Sequence, residues 1–200
     1  DDVVAVFDLQ RTVIAASLVE QYLWVELATN PPSGWPRSLA SLVARAPHYI
    51  RAELRDRGDF IRTFMRHFAG THEEELRRAI GERVQESLRR DVLAEAEARI
   101  ETHRQAGHRL VLVTGEIDVF VEPLATLFDV VVAGKMETGA DGRWTGHLEH
   151  PPLVGESRAS WLTSYARAEG IDLSGSYAYG DSYADRPWLS VVGHPHAVNP

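Results

Sequence analysis

The apolar positions of the chain form two patterns, short continuous runs and longer segments of helical periodicity. The first run, Val3 to Phe7, has the length of a buried strand and ends at a carboxylate, Asp8. From Gly107 onwards, such runs alternate with helical segments. Strands are predicted at 108–113, 130–133 and 177–179, and helices at 118–128 and 156–169. This alternation predicts an α/β fold, with a Rossmann-like, mostly parallel sheet that carries helices on both faces.

The region between the first two strands has helical periodicity almost throughout. Four helical segments are predicted there: 17–28, 38–57 with a kink or break at Pro47 and an end at Gly58, a short one at 60–68, and 71–105 with at most one interruption near Gly81. So long a connection is unusual for a plain crossover, which predicts an inserted helical subdomain. The chain therefore divides into a core of residues 1–16 and 91–200 and a helical part of residues 17–90.

Two further patterns lie in the second half of the chain. Residues 135–150 have turn chemistry at 139–142, which predicts a β-hairpin. Short apolar pairs at 191–192 and 197–198 predict two final short segments.

Composition narrows the classes of function. The 200 residues are 44% hydrophobic and 25% charged, and their formal net charge of −8 argues against a nucleic-acid partner. No apolar run approaches the roughly 18–20 residues of a membrane span, and we expect a cytoplasmic location. The chain has no cysteine, which excludes disulfides and thiolate metal sites. Its abrupt ends lead us to expect trimmed termini or other domains of a longer polypeptide.

Three carboxylates follow predicted strands. Asp8 follows the first strand, and Asp181 and Asp185 follow the strand at 177–179. We expect them to meet at one edge of the sheet, where such carboxylates repel one another unless a cation lies between them. Mg²⁺ is the expected cofactor, because it takes oxygen ligands and bridges to phosphate oxygens. The alternative is that Asp181 and Asp185 only cap the following helix.

Two further features suit a phosphoryl group. A carboxylate such as Asp8 can attack phosphorus and form an acyl-phosphate. Thr114 and Gly115, at a predicted strand end, offer a hydroxyl and a backbone N–H to a phosphoryl oxygen.

Four stretches carry a resemblance that spans nearly the whole chain: Phe7-Asp8-Leu9-Gln10-Arg11-Thr12, Val111-Leu112-Val113-Thr114-Gly115, Gly155-Glu156-Ser157-Arg158 and Gly180-Asp181-Ser182-Tyr183-Ala184-Asp185. In this order they resemble the haloacid dehalogenase-like (HAD) superfamily, in particular its phosphoserine-phosphatase-like branch. The resemblance implies that residues 17–90 form a helical cap over the site.

The resemblance also implies roles for individual residues. Asp8 would be the nucleophile and a metal ligand, and Gln10 would give the metal its backbone carbonyl. Asp181 would be the second side-chain ligand, and Asp185 would hold the metal directly or through water. The phosphoryl group would be bound by Thr114, Gly115, Arg158 and Ser182.

Two residues depart from the family pattern. Gln10 stands where the family has the second Asp of its first motif, which protonates the leaving group and then activates water. An amide cannot do this, and general acid–base help is worth about 10²–10⁴-fold. Arg158 stands where the family usually has Lys, and it supplies charge with a different geometry. The alternative for Arg158 is a surface arginine at the start of a helix.

The expected function is that of a Mg²⁺-dependent, phosphatase-like hydrolase. It would act on a phosphorylated small molecule, a phosphomonoester, through an aspartyl-phosphate, with turnover reduced by Gln10. Two alternatives stay open. One is a catalytically impaired domain that serves as a phosphate-binding or regulatory module of a larger protein. The other is a phosphotransferase that passes the phosphoryl group to an acceptor other than water.

Overall fold

A computed structural model of the protein describes residues 2–29, 32–78 and 90–199. The strands are β1 (Val4–Phe7), β2 (Arg109–Ile117), β3 (Val130–Gly134), β4 (Met136–Thr138), β5 (Trp144–Leu148), β6 (Tyr177–Gly180) and β7 (His194–Ala197). The α-helices with bounds within the described residues are α1 (Leu18–Thr29), α2 (Trp35–Arg55), α3 (Arg57–Met65), α4 (Ala94–Gln105), α5 (Asp118–Val121), α6 (Gly155–Glu169) and α7 (Arg186–Leu189). Short 3₁₀ segments lie at Arg66–Phe68, Glu122–Leu127 and Tyr183–Asp185.

β1 is the central strand of a five-stranded parallel sheet. The strand order is β3-β2-β1-β6-β7, and every neighbouring pair is parallel. All four residues of β1 are buried, as a continuous apolar run in a parallel sheet requires. The predicted α/β fold with a mostly parallel sheet is therefore confirmed, and β4 and β5 form the predicted hairpin beside it.

The two faces of β1 contribute to two separate apolar clusters. Val4 and Val6 pack on one face with the buried side of α6 and with Trp188 of α7. Ala5 and Phe7 point to the other face, where the cluster continues into the apolar sides of α1, α2 and α3. Because successive side chains of a strand alternate between faces, one short strand anchors both layers of the core.

The helices α1 to α3 lie between β1 and β2 along the chain, and the connections at both ends of this helical region pair with each other. The N–H of Ala15 donates to the carbonyl of Asp91 (3.0 Å), and the N–H of Leu93 donates to the carbonyl of Val13 (2.9 Å). The Asp91 carboxylate also accepts from the N–H of Ala16 (2.8 Å). The division of the chain into a core and a cap at 16/17 and 90/91 stays a prediction.

The structure corrects several predicted elements of the first half. Gly58 does not end the second helix, because α2 ends at Arg55 and Gly58 lies inside α3. The side chain of Asp56 caps α3 by accepting from the N–H of Asp59 (2.8 Å), which starts a new helix where one was expected to end. α2 continues through Pro47 without a break. The helical stretch predicted at 71–105 is interrupted at 91–93 by the pairing with 13–15, and the predicted interruption near Gly81 lies outside the described residues.

Three predictions in the second half also need correction. The second strand runs on to Ile117 instead of ending before Thr114. The helix predicted at 118–128 is one α-helical turn followed by the 3₁₀ segment, which has Pro123 at its start, where a residue without N–H is tolerated. Residues 191–192 form a turn, and the last strand is His194–Ala197. Among the described residues, no helix is both long and apolar enough to cross a bilayer.

Candidate active site

The predicted functional residues lie where three neighbouring strands end. Asp8 follows β1, Asp181 follows β6, and Gly115 lies near the end of β2, so the strand order brings them to one edge of the sheet. They line a small cavity of about 20 Å³, which we call the inner cavity. Its walls are Asp8, Gln10, Arg57, Ile61, Gly115, Val154, Gly155, Arg158, Asp181, Ser182, Ala184 and Asp185.

The turn after β1 fixes the direction of Asp8. Its N–H donates to the carbonyl of Tyr179 on β6 (2.9 Å), so parallel pairing continues past the end of the strand. The carbonyl of Leu9 then accepts from the N–H groups of Val13 (2.8 Å) and Ile14 (3.0 Å). Arg11 has φ 56°, a left-handed conformation that is uncommon for a residue with a side chain. The tight turn keeps Asp8 and Gln10 at the same cavity.

Arg158 connects two of the three carboxylates. Its Nη1 lies 2.8 Å from Oδ1 of Asp8 and 3.1 Å from Oδ1 of Asp185. Its side chain is only 3% exposed, and its Nε donates to the carbonyl of Leu153 (3.2 Å). Arg158 is therefore not the surface arginine of the alternative interpretation. It is a buried cation held in place in the first turn of α6.

The three carboxylates form a compact acidic group. One oxygen atom from each of Asp8, Asp181 and Asp185 lies within 4.8 Å of the others. Burial raises the pKa of Asp8 to about 6, although Arg158 lowers it, and the neighbouring carboxylates of Asp185 and Asp181 add to the increase. Burial also raises the pKa of Asp181, helped by Asp185. Arg158 is not the only cation beside the group, because Nε of Arg11 lies 3.5 Å from Oδ2 of Asp181. The three oxygen atoms are nevertheless close enough together to hold one metal ion.

Asp185 combines the two roles that the sequence left open. Its Oδ2 accepts from the N–H (3.0 Å) and the hydroxyl (2.8 Å) of Ser182, as a helix cap would. Its Oδ1 accepts from Arg158 and from Nε1 of Trp188 (2.9 Å). Asp185 therefore fixes the loop after β6 and faces the acidic group at the same time.

Gln10 has a partner that sequence reasoning missed. Its Nε2 donates to Oε2 of Glu116 (3.2 Å), and both side chains are buried. Burial raises the pKa of Glu116 to about 8, although the hydrogen bonds from Ile117 and Gln10 lower it. A signal was present in the sequence, because Glu116 is a charged residue between Gly115 and Ile117 in an otherwise apolar strand.

Gly115 is the point where helix α3 meets the end of β2. A Cβ atom at this position would lie 2.5 Å from Cδ1 of Ile61 and 3.4 Å from Cγ1 of Val154. The close approach of α3 therefore requires glycine. Thr114 does not line the inner cavity, and its hydroxyl oxygen accepts from the N–H of Glu116 (3.0 Å).

The inner cavity opens towards a larger groove of about 1270 Å³, which we call the outer groove. The outer groove lies between the start of α3 and the loops before α6 and α7, and it shares Arg57, Val154, Gly155, Ser182 and Ala184 with the inner cavity. No sequence pattern indicated a role for Arg57, whose positive charge lowers the pKa of Asp8, Asp181 and Glu116. A space for about one water molecule thus adjoins one that accommodates a larger group.

The fold and this constellation define a class of protein, and comparison with known sequences identifies it. The chain belongs to the haloacid dehalogenase-like hydrolase family, which it matches over residues 5–190. It is similar to an inhibition of morphological differentiation protein of Streptomyces azureus, with 38% identity over 66% of this chain and 48% of that protein. It is also similar to a probable phosphatase of Mycobacterium tuberculosis, with 30% identity over 98% of this chain and 68% of that protein. The chain thus spans about half of the first relative and two thirds of the second.

Further comparisons support the predicted branch of the family. A phosphoserine phosphatase of M. tuberculosis is 32% identical over 61% of this chain and 40% of its own length. A protein of unknown function from Bordetella pertussis has a TM-score of 0.80 and 26% identity, covering 100% of this chain and 91% of its own. A phosphoserine phosphatase solved as a phospho-aspartyl intermediate analogue shares the fold, with a TM-score of 0.68, 19% identity, and coverage of 96% and 84%. The predicted family is confirmed, and a relative named phosphoserine phosphatase matches part of this chain.

Proposed function

We propose that this chain is a Mg²⁺-dependent phosphomonoester hydrolase that works through an aspartyl-phosphate on Asp8. The observation that carries the proposal is the convergence of Asp8, two further carboxylates and the buried Arg158 on one small cavity. A nucleophile, a cation for the phosphoryl oxygens and a set of oxygen ligands for a metal are the parts that such a reaction needs. Membership of a hydrolase family supports the same reaction class.

The donor set fits a divalent cation. One oxygen atom of each of the three carboxylates lies within 4.8 Å of the others, so it costs free energy to keep all three ionised. The pKa values of Asp8 and Asp181 are raised for this reason and because of burial. Asp8, Asp181 and the backbone carbonyl of Gln10 would hold Mg²⁺. Because both oxygens of Asp185 already accept hydrogen bonds, Asp185 would act through a water molecule. A bound Mg²⁺ supplies charge that polarises the phosphoryl group.

In the first chemical step, Asp8 would attack phosphorus and the neighbouring residues would hold the phosphoryl group. A carboxylate oxygen of Asp8 forms a bond to phosphorus, and the bond from phosphorus to the ester oxygen breaks with its electron pair on the leaving group. The leaving group then takes a proton from solvent. Arg158 holds Asp8 in line and contacts the phosphoryl oxygens, with the N–H of Gly115 and the Ser182 side chain as further candidates for binding them. Thr114 does not line the inner cavity, so its hydroxyl would contribute only by accepting from the N–H of Glu116.

Gln10 makes the proposed turnover slow for alkyl phosphates. Its amide cannot protonate an alkoxide, so a poor leaving group departs with about 10²–10⁴-fold less help. Aryl phosphates depend less on that proton, because an aryl oxide is a better leaving group than an alkoxide. The proposed substrate is a small phosphomonoester, and relatives named phosphoserine phosphatase and histidinol-phosphatase are, by their names, phosphatases of such molecules.

The test is the Mg²⁺-dependent hydrolysis of p-nitrophenyl phosphate by the wild type, Asp8→Asn and Gln10→Asp. We expect Asp8→Asn to lose at least about 10³-fold in kcat, because the nucleophile is removed. Asp141→Asn, in the β4–β5 turn and outside the cavity, is the matched control and should keep full activity. Equal activity of the wild type and Asp8→Asn would refute the proposal.

The amide of Gln10 favours a second candidate, a phosphate-binding module without turnover, because an amide cannot protonate the leaving group or activate water. In that case the wild type would be inactive, and Gln10→Asp alone would hydrolyse the substrate. Binding of inorganic phosphate to the inactive wild type, measured by calorimetry in the presence of Mg²⁺, would complete the case for this second candidate.

A further inference from the structure

We propose that Glu116 is a positioning residue for the hydrolysis of the aspartyl-phosphate. It holds the side-chain amide of Gln10 so that the amide oxygen accepts a hydrogen bond from the attacking water. The inference rests on the proposed function, because it concerns the second step of that reaction. It gives Gln10 a role in orienting water, although an amide cannot take over the proton transfer of the missing carboxylate.

Glu116 is itself fixed in one orientation. Its Oε1 accepts from the N–H of Ile117 (3.1 Å), and its own N–H donates to the hydroxyl oxygen of Thr114 (3.0 Å). Only 1% of Glu116 and 8% of Gln10 is exposed. The remaining oxygen, Oε2, is the one that meets Nε2 of Gln10 at 3.2 Å. The partner of Gln10 is therefore part of the end of β2 and does not move freely.

This contact decides which end of the Gln10 amide is left for the cavity. The amide nitrogen of Gln10 is the atom that faces Oε2 of Glu116. Oε2 can accept from it when the carboxyl group is ionised, and also when the group is neutral with its proton on Oε1. The amide oxygen has no hydrogen-bond partner within the described part of the chain, and Gln10 lines the inner cavity beside Asp8. The amide oxygen of Gln10 is thus an acceptor at the cavity, and one O–H of a water molecule can donate to it.

The step that this acceptor serves is balanced without a proton on Gln10. The water oxygen forms a bond to phosphorus, and the bond between phosphorus and Asp8 breaks with its electron pair on the carboxylate. One proton of the water passes to a phosphoryl oxygen, which gives dihydrogen phosphate. Gln10 orients the water, and orientation of a reactant contributes to the rate without proton transfer.

Rapid-mixing kinetics with p-nitrophenyl phosphate separate the two steps. The burst of p-nitrophenolate reports formation of the aspartyl-phosphate, and the steady state reports its hydrolysis. In Glu116→Ala we expect kcat and KM to fall together by about 10-fold or more, with kcat/KM within about twofold of the wild type, because only the water step is slowed. The burst amplitude should rise towards one per protein molecule.

Two further variants separate positioning from a structural effect. Glu116→Gln keeps an oxygen that accepts from Gln10 and should restore kcat to within about threefold. Glu116→Met fills the same buried space without a polar atom, so it should fold even if the alanine variant does not, and it should behave kinetically like Glu116→Ala. In a Gln10→Ala background, Glu116→Met should cause no further loss.

The inference is overturned if Glu116→Met lowers kcat/KM in proportion to kcat, or if its loss adds in full to that of Gln10→Ala. It is also overturned if Glu116→Met turns over like the wild type. A wild type whose turnover does not depend on Asp8 would refute the proposed function, and the inference with it. Activity that depends on Asp8 but is insensitive to Glu116 would refute the inference alone.

Discussion

Two walls of the inner cavity differ in how they hold a buried carboxyl group, which lines the cavity on the arginine wall and lies behind Gln10 on the glutamine wall. On the arginine wall, Asp8 and Asp185 share the guanidinium of Arg158. On the glutamine wall, Glu116 has an amide as its side-chain partner. Burial raises both pKa values, that of Asp8 to about 6 and that of Glu116 to about 8. A contacting cation therefore decides which buried carboxyl stays ionised at neutral pH, and only the arginine wall keeps a charged nucleophile.

The largest expected effect is that of Arg158→Ala, which removes the cation of the arginine wall. Removing the shared cation leaves Asp8 and Asp185 buried side by side, and loss of one partner of a buried pair costs about 3–5 kcal/mol. We expect the urea midpoint at pH 7 in EDTA to fall accordingly, and activity to be lost. Arg167→Ala, an exposed residue of the same helix, is the matched control and should change stability by less than about 0.5 kcal/mol. A fully stable Arg158→Ala protein would contradict this account of the arginine wall.

Gly115→Ala tests how closely the glutamine wall meets α3. The new Cβ would lie 2.5 Å from Cδ1 of Ile61, and overpacking of this kind costs about 1–3 kcal/mol. We expect lower stability, and a lower kcat/KM because α3 shifts at the cavity. Ile61→Val lacks the offending Cδ1 atom, so the double variant Gly115→Ala, Ile61→Val should recover most of both losses. If it recovers neither, the steric explanation is wrong.

The smallest expected effect is on the pH dependence of stability. The folded state raises the pKa of Glu116 from 4.5 to about 8, so it binds a proton that the unfolded state releases. This contribution to stability is present below pH 4.5 and is lost as the pH rises from 4.5 to 8. Between pH 5 and 8 in EDTA, we expect the wild type to lose at least about 1.4 kcal/mol more than Glu116→Gln, the equivalent of one pKa unit. Parallel stability profiles of the two proteins would show that Glu116 is not protonated in the folded state.

The sequence predicted the arginine wall better than the glutamine wall. Asp8 and Asp181 follow apolar runs, and parallel strands bring such ends together whatever the exact register. The contact between Gln10 and Glu116 depends on the register of β1 against β2, in which Phe7 pairs with Leu112. A slip of one residue would turn every side chain to the other face, and apolar patterns do not set the register of two runs that are buried on both faces. Side-chain contacts between such strands therefore need the structure.

Elements outside the sheet were predicted less well for a related reason. The separation of α2 from α3 depends on a hydrogen bond from Asp59 to the Asp56 side chain, whereas the sequence pattern drew attention to Gly58. The break at 91–93 depends on pairing with residues 13–15, which lie far away along the chain. The first contact joins residues only three apart and is a local capping signal that the pattern around Gly58 obscured. Local propensity could not indicate the second pairing, since it depends on neighbours brought in by the fold.

The position of β1 also has a consequence for biosynthesis. It is the first strand of the chain and the central strand of the sheet, and its neighbours come from residues 109–112 and 177–179. At about 5–20 residues per second, the first of these partners is synthesised roughly 5–20 s after β1, and the second later still. During that interval four apolar residues have no strand to pair with, and such delayed long-range pairing slows folding and exposes chains to aggregation. The helical insertion between β1 and β2 thus sets how long β1 is without its first partner strand during synthesis.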